Sequence, residues 1–168
     1  SALYRGIPEG KTALNDAIVD GLEQLRQGRR DKKTLVVISD GGDNASRHTR
    51  RELLEAVEKH VATIYTIGLV TEEDPDQDPG LLTHLAHISG GEVYLPHNVA
   101  DVVPVCERIA KDIRARYTIG YIPQLSNGHS GLRHIRVEAS APGLGRLIAR
   151  TRTSYWYESG DSPNGGGL

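Results

Sequence analysis

The chain has 168 residues, 38% of them hydrophobic and 25% charged, with a formal net charge of −2. That is enough chain for one full core, or one core plus a small appendage, and the charge excludes a global basic field that would draw it to nucleic acid or anionic lipid. No apolar run approaches the roughly 20 residues of a membrane span, and no signal-peptide pattern is visible. The single cysteine, Cys106, excludes an internal disulfide; this fits a reducing compartment without excluding a secreted protein. The chain contains no methionine, so it reads as a piece of a longer or processed polypeptide.

Residues 6–12, "GIPEGKT", imitate a phosphate-binding loop. That loop needs four residues between its glycines, so that consecutive N–H groups curl round the phosphates. Only Ile7, Pro8 and Glu9 stand between Gly6 and Gly10; Pro8 donates no N–H and Glu9 repels anions. A nucleotide site is therefore not expected. Thr12 reads instead as the N-cap of a helix over 13–27, with Leu14, Ile18, Leu22 and Leu25 at helical spacing. Gly28 marks its stop.

"TLVVIS" (34–39) reads as a parallel strand buried on both faces. Thr49 and Glu52 form a capping box before a helix with Leu53, Leu54, Val57 and Val61 on one face. "TIYTIGLV" (63–70) is a second buried strand. After the acidic loop 71–79, Asp78 caps a helix with Pro79 at its first position and Leu81, Leu82, Leu85 and Ile88 inward; "SGG" ends it. "EVYLP" (92–96) is a third strand. A last helix lines up Val102, Cys106, Ile109 and Ile113, which makes Cys106 a small buried hydrophobe. This alternation predicts an α/β domain over residues 1–116, a parallel sheet with helices on both faces.

After Arg116 the pattern changes to period two. "YTIGYIP", "LRHIRVEAS" and "RLIARTRTSYWY" predict a small antiparallel β appendage of three strands over 117–157. Residues 158–168 read as a flexible tail. Arg136, Arg146, Arg150 and Arg152 beside Tyr155 and Trp156 resemble a single-stranded nucleic-acid surface, but alternating arginine in a hairpin is ordinarily its wet side. No nucleic-acid partner is expected.

Chemistry in an open α/β sheet collects at the carboxyl ends of its strands. "VVISDGGDN" puts Asp40 there, with two glycines that let the chain turn. Thr12 opens the helix leading into the same strand, so its hydroxyl is expected at the same edge. A carboxylate and a hydroxyl suit a hard divalent cation. Asp43, Asn44, Arg47 and His48 would rim that edge and contact a partner, or serve as turn and cap residues. His84 and His87, three apart on a helix, form a weaker zinc pair without a third ligand.

"GKTALNDAI" followed by "TLVVISDGGDN" resembles the second half of a von Willebrand factor type A domain. It is especially similar to bacterial proteins of that kind that end in a "Y-x-x-x-Y-x-P" strand and a basic hairpin. The resemblance covers about residues 6–116. It implies a Rossmann-like sheet and a metal-ion-dependent adhesion site, with Thr12 matching the family's "G-x-T" threonine and Asp40 its "S-D-G" aspartate. It implies Mg²⁺ or Mn²⁺ in the intact domain, held directly by Thr12 and directly or through water by Asp40. A protein ligand with an acidic group would complete the coordination. Related bacterial proteins are often exported, which favours an extracytoplasmic location. The family's first motif, "D-x-S-x-S", is absent from this sequence, as are counterparts of its first strands and first helix. Weak or absent metal binding by this chain alone follows.

The expected function is thus a non-enzymatic protein-interaction module. A metal-assisted hydrolase at the same edge, or a structural fragment without a site, are the alternatives; the sequence offers no general base beside a nucleophile. Strand 34–39 is further expected to form an exposed sheet edge that associates with another polypeptide.

Overall fold

The computed structural model describes residues 10–71, 75–121 and 130–158. The segment 6–9, part of the acidic loop (72–74), residues 122–129 and most of the expected tail (159–168) lie outside the described residues.

The first part of the chain is an α/β unit. Helix α1 (Leu14–Arg26) leads to strand β1 (Thr34–Ser39), α2 (Arg50–Lys59), β2 (Thr63–Gly68), α3 (Pro79–Ser89), β3 (Val93–Tyr94) and α4 (Val102–Ala115). The strands form one parallel sheet in the order β1-β2-β3, with Val36 level with Tyr65 and Ile38 level with Ile67. Local signals place the helices. Thr49 and Glu52 close a reciprocal capping box on α2, and the Asp78 carboxylate takes the Leu81 N–H ahead of Pro79 on α3. Gly90 ends α3 in the left-handed conformation with φ 78°, a geometry that glycine adopts without Cβ strain.

The two faces of the sheet are unequally covered. Leu14, Ile18 and Leu22 of α1, Leu53 and Val57 of α2, and Leu81, Leu82 and Leu85 of α3 pack with Val37 and Ile64 into the main core. On the other face α4 packs alone, Ile109 against Tyr65 and Ile67 with Val105 and Ile113 beside it. Helices do lie on both faces, yet α4 leaves β1 bare. Val36 is 42% and Ile38 51% exposed, so β1 is not buried on both faces as its sequence suggests.

Two further expectations are corrected. The inward stripe of α4 runs through Val105, Ile109 and Ile113, and Cys106, one position round the helix, is exposed. Val61 lies beyond the end of α2 and is exposed.

Among the described residues the C-terminal part holds two small antiparallel sheets rather than one of three strands. Strand β4 (Gly131–His134) pairs with β7 (Ser154–Tyr157), and β5 (Ala139–Ala141) with β6 (Gly145–Leu147). The described residues 117–121 of the expected first strand are not in a strand. The two longer expected strands are each interrupted, the second where the chain between β6 and β7 is pulled onto the α/β unit. Arg150 is ion-paired with Glu92 and Asp112. Arg152 donates to the carbonyl of Glu58 at 3.0 Å, and the Thr153 N–H donates to the carbonyl of Ile88 at 3.2 Å. Trp156 sits under Lys59, with 5.8 Å from the ammonium to the ring centroid.

These bonds make Arg150 the clasp between appendage and sheet. Tyr65 donates its hydroxyl to Asp112 and Tyr94 to Glu92, so the arginine neutralises two carboxylates that already hold a tyrosine each. Burial, followed by the carboxylate it bonds, pushes the Tyr94 phenol up to about 12; the same causes raise Tyr65. Replacing Arg150 with Ala is expected to cost about 1 kcal/mol, the screened value of partly exposed ion pairs. The loss should fall on the appendage. Amide exchange in β7 should quicken more than in β2, and equal acceleration in both would refute the clasp.

Candidate functional site

The carboxyl edge of the sheet is built from two segments that complete each other. The N-terminus of α1 presents unsatisfied N–H groups, as every helix does. Its N-cap residue is Ala13 and makes no side-chain cap, so Thr12 does not cap α1 as its position suggests. The loop after β1 caps it from a distance. The Asn15 N–H donates to the Asp43 carboxylate at 2.7 Å and the Asp16 N–H to the Ser46 hydroxyl at 3.1 Å. A carboxylate is well placed against the positive end of a helix dipole.

The helix returns the bonds. Asp16 accepts the N–H groups of Arg47 and His48 and contacts the His48 ring at 2.6 Å. The main-chain carbonyl of Thr12 accepts from Asn44 at 2.9 Å and Ala45 at 3.1 Å, and its N–H donates to the Asn44 side chain at 2.8 Å. Thr12 is thereby fixed at the edge where β1 ends.

Asp40 begins the turn there. Its Oδ1 accepts the Gly42 N–H at 2.9 Å and lies 3.3 Å from the Ser39 hydroxyl. Gly41 has φ 91°, and a Cβ on it would fall 2.2 Å from the carbonyl oxygen of Asp78. That close approach lets residues 76–78 fold over the turn, where the Asp78 N–H donates to the Asp40 carbonyl at 3.2 Å.

The acids at this edge differ in how their oxygens are used. Asp43 takes Asn15, the Ser46 N–H and the Ser46 hydroxyl across both oxygens. Asp16 also has both engaged. Asp78 takes Leu81 on one and Arg50 on the other. Among the described residues no hydrogen bond reaches Oδ2 of Asp40 or the hydroxyl of Thr12, and none joins the two side chains.

The rim residues divide likewise. Asp43 and the Asn44 side-chain oxygen accept from the N–H groups of Asn15 and Thr12 at the start of α1. The Arg47 guanidinium is exposed, with one nitrogen 3.6 Å from Asp16, and the His48 ring is partly exposed. Asp16 and Ser46 were not legible as part of this edge. An acid in the first turn of α1 was the only signal, and it reads equally as dipole compensation.

His84 and His87 are both exposed on α3. Among the described residues no group of three or more His, Cys, Asp or Glu converges as metal ligands would. Of the basic hairpin, Arg150 and Arg152 are bonded to the α/β unit, and Arg136 and Arg146 pair with Glu138. A cleft of about 230 Å³ opens at the opposite, amino end of the strands. Its cations Lys32, Lys33 and Arg116 donate to main-chain carbonyls, and it lies away from Asp40. Among the described residues no helix is long and apolar enough to cross a membrane.

No family model and no curated protein matches the chain. Among solved structures it is similar to one titled "Crystal Structure of Uncharacterized Membrane Spanning Protein from Vibrio fischeri". That likeness has a TM-score of 0.42 at 21% identity and covers 65% of this chain and 62% of that one. The chain thus spans less than two-thirds of that neighbour's length.

Asp43 and Asp16 should make the edge acid-sensitive. Burial opposes ionisation of Asp43, but the Asn15 N–H and the Ser46 donors outweigh it and hold its carboxyl below the usual range. The Arg47 and His48 N–H groups hold Asp16 far below it. A carboxyl depressed in the folded state stabilises fully above its unfolded pKa, near 3.9, and the gain is lost as pH falls through the folded value. Thermal midpoints should therefore drop below about pH 4, and Asp16→Asn should flatten the drop. An unchanged slope in that variant would refute the coupling. Gly41→Ala should cost about 1–3 kcal/mol from its backbone conformation alone, read as a lower denaturant midpoint; a neutral effect would mean that the turn is not pinned under Asp78.

Proposed function

We propose that this chain is a non-enzymatic protein-interaction module that binds through the carboxyl edge of its parallel sheet, in the manner of a von Willebrand factor type A domain. The observation that carries the reading is the contrast among the edge oxygens. Asp16, Asp43 and Asp78 are committed to the fold, whereas the Thr12 hydroxyl and one oxygen of Asp40 are not. A hard divalent cation takes one carboxylate oxygen and one hydroxyl together with waters. The donor set fits such an ion in kind and falls short in number and charge. Thr12 and Asp40 would hold Mg²⁺ or Mn²⁺, and the ion would offer a positive point to an acidic group on a protein partner. Arg47 and His48, which extend from the same rim, would contact that partner.

Two protein ligands give weak binding, because Mg²⁺ dehydrates reluctantly. Titration with Mn²⁺ should show a dissociation constant on the order of 1 mM or weaker, about 4 kcal/mol at most. Asp40→Ala and Thr12→Val should abolish it while leaving the fold intact. Tight stoichiometric binding that survives Asp40→Ala would refute the assignment, as would weak binding that neither substitution changes.

A further inference from the structure

The turn that carries Asp40 is covered by residues 76–78. A Cβ on Gly41 would meet the Asp78 carbonyl oxygen at 2.2 Å, and one on Gly42 the Asp76 carbonyl oxygen at 3.0 Å. The Asp78 N–H donates to the Asp40 carbonyl at 3.2 Å. Under this cover the Gly42 N–H donates to Asp40 Oδ1 at 2.9 Å. That bond fixes one carboxylate oxygen inside the turn and leaves Oδ2 as the oxygen for a ligand.

Two side chains hold the cover in place. Gln77 bonds both main-chain groups of Thr71 through its amide. Asp78 divides its carboxylate. Its Oδ1 accepts the Leu81 N–H at 2.8 Å and starts α3, while Oδ2 meets the Arg50 guanidinium at 2.7 Å. Arg50 is the first residue of α2, a helix that Thr49 and Glu52 already cap. A cation at that end opposes the helix dipole, so α2 itself gains nothing from it. Among the described residues its one ion pair is with Asp78.

We propose that Arg50 is a positioning residue for the Asp40 carboxylate. Through the Asp78 side chain it holds residues 76–78 down on the Gly41–Gly42 turn, and the closed turn keeps Oδ1 of Asp40 on the Gly42 N–H. This deepens the reading of the carboxyl edge and rests on it for its purpose: the oxygen offered to a cation is oriented by a pair that touches neither cation nor partner. The pair is 53% and 38% exposed on its two sides, so it is weak and screened by salt. It shifts an opening equilibrium by a few fold and leaves the turn able to open.

The test uses the full chain with EDTA present and reads amide exchange. Arg50→Gln and Asp78→Asn should each speed exchange at Gly42 about two- to fivefold, the range of a partly exposed pair. Asparagine still caps a helix, so the Leu81 amide should keep its protection in Asp78→Asn. The double variant should be no faster than either single one, and Arg50→Lys should restore most of the protection. In the unaltered chain, raising salt from about 0.05 to 0.5 M should speed Gly42 as the Debye length shrinks; in Arg50→Gln it should not. That comparison serves should Asp78→Asn fail to fold. Gly42 makes no bond to Arg50 among the described residues, so a pair that merely stabilised α2 and α3 would leave it unmoved. Unchanged Gly42 exchange in both variants, additive effects in the double variant, or equal acceleration at Ile64 in the core would each overturn the proposal. Exchange is measured without metal, so its failure leaves the metal reading standing, and a Mn²⁺ titration that refutes that reading leaves the positioning standing.

Discussion

The carboxyl half of this sheet depends on one exchange of hydrogen bonds. The loop that leaves β1 has few hydrophobic contacts of its own, and α1 begins without a side-chain cap from its own residues. Each defect is the remedy for the other. Asp43 and Ser46 satisfy the first N–H groups of α1, and Asp16 satisfies the N–H groups of Arg47 and His48. Helix packing alone fixes where α1 lies on the sheet, through Leu14, Ile18 and Leu22. The exchange fixes its rotation and the height at which Thr12 meets the strand end. Among the described residues the Thr12 hydroxyl and the Asp40 Oδ2 are left without a hydrogen bond while these other groups are occupied.

The opposite end of the molecule is organised by charge instead. Arg150 lies between Glu92 and Asp112, and Tyr65 and Tyr94 cover the same carboxylates. A tyrosine that donates to a carboxylate leaves that anion available to a cation, so the four side chains and the arginine form one network rather than competing pairs. It draws the chain between β6 and β7 away from its own hairpin and against the sheet. The appendage is therefore less regular than its sequence suggests and better attached.

Much of the fold was legible where the determinant is local. The Thr49–Glu52 box, the Asp78–Pro79 start and the spacing of Leu14, Ile18 and Leu22 each lie within one or two helical turns, and the structure follows them. The failures share a different character. Val36 and Ile38 read as buried because a short apolar run looks the same whether one or both faces are covered. Only the position of α4 over β2 and β3 decides between them. Cys106 misled because Val102, Cys106 and Ile109 fit a helical stripe as well as Val105, Ile109 and Ile113 do. The interruption of the C-terminal strands needed the pairing of Arg150 with Glu92, 58 residues away. At the carboxyl edge, the order Thr12, helix, strand, Asp40 anticipated that both segments meet there. It did not reveal Asp16 and Ser46, whose partners are about thirty residues distant in sequence.

The position of Trp156 gives the molecule an internal optical division. It is the sole tryptophan, and the chain has no phenylalanine. The indole lies on β7 beneath Lys59 of α2, at the seam between the appendage and the α/β unit. The peptide chromophores of the helices lie almost wholly on the other side of that seam. Intrinsic emission therefore watches the appendage come away, while far-ultraviolet ellipticity watches the helices melt. If the seam yields first, the two signals will part, and a single cooperative transition will cease to describe the whole chain.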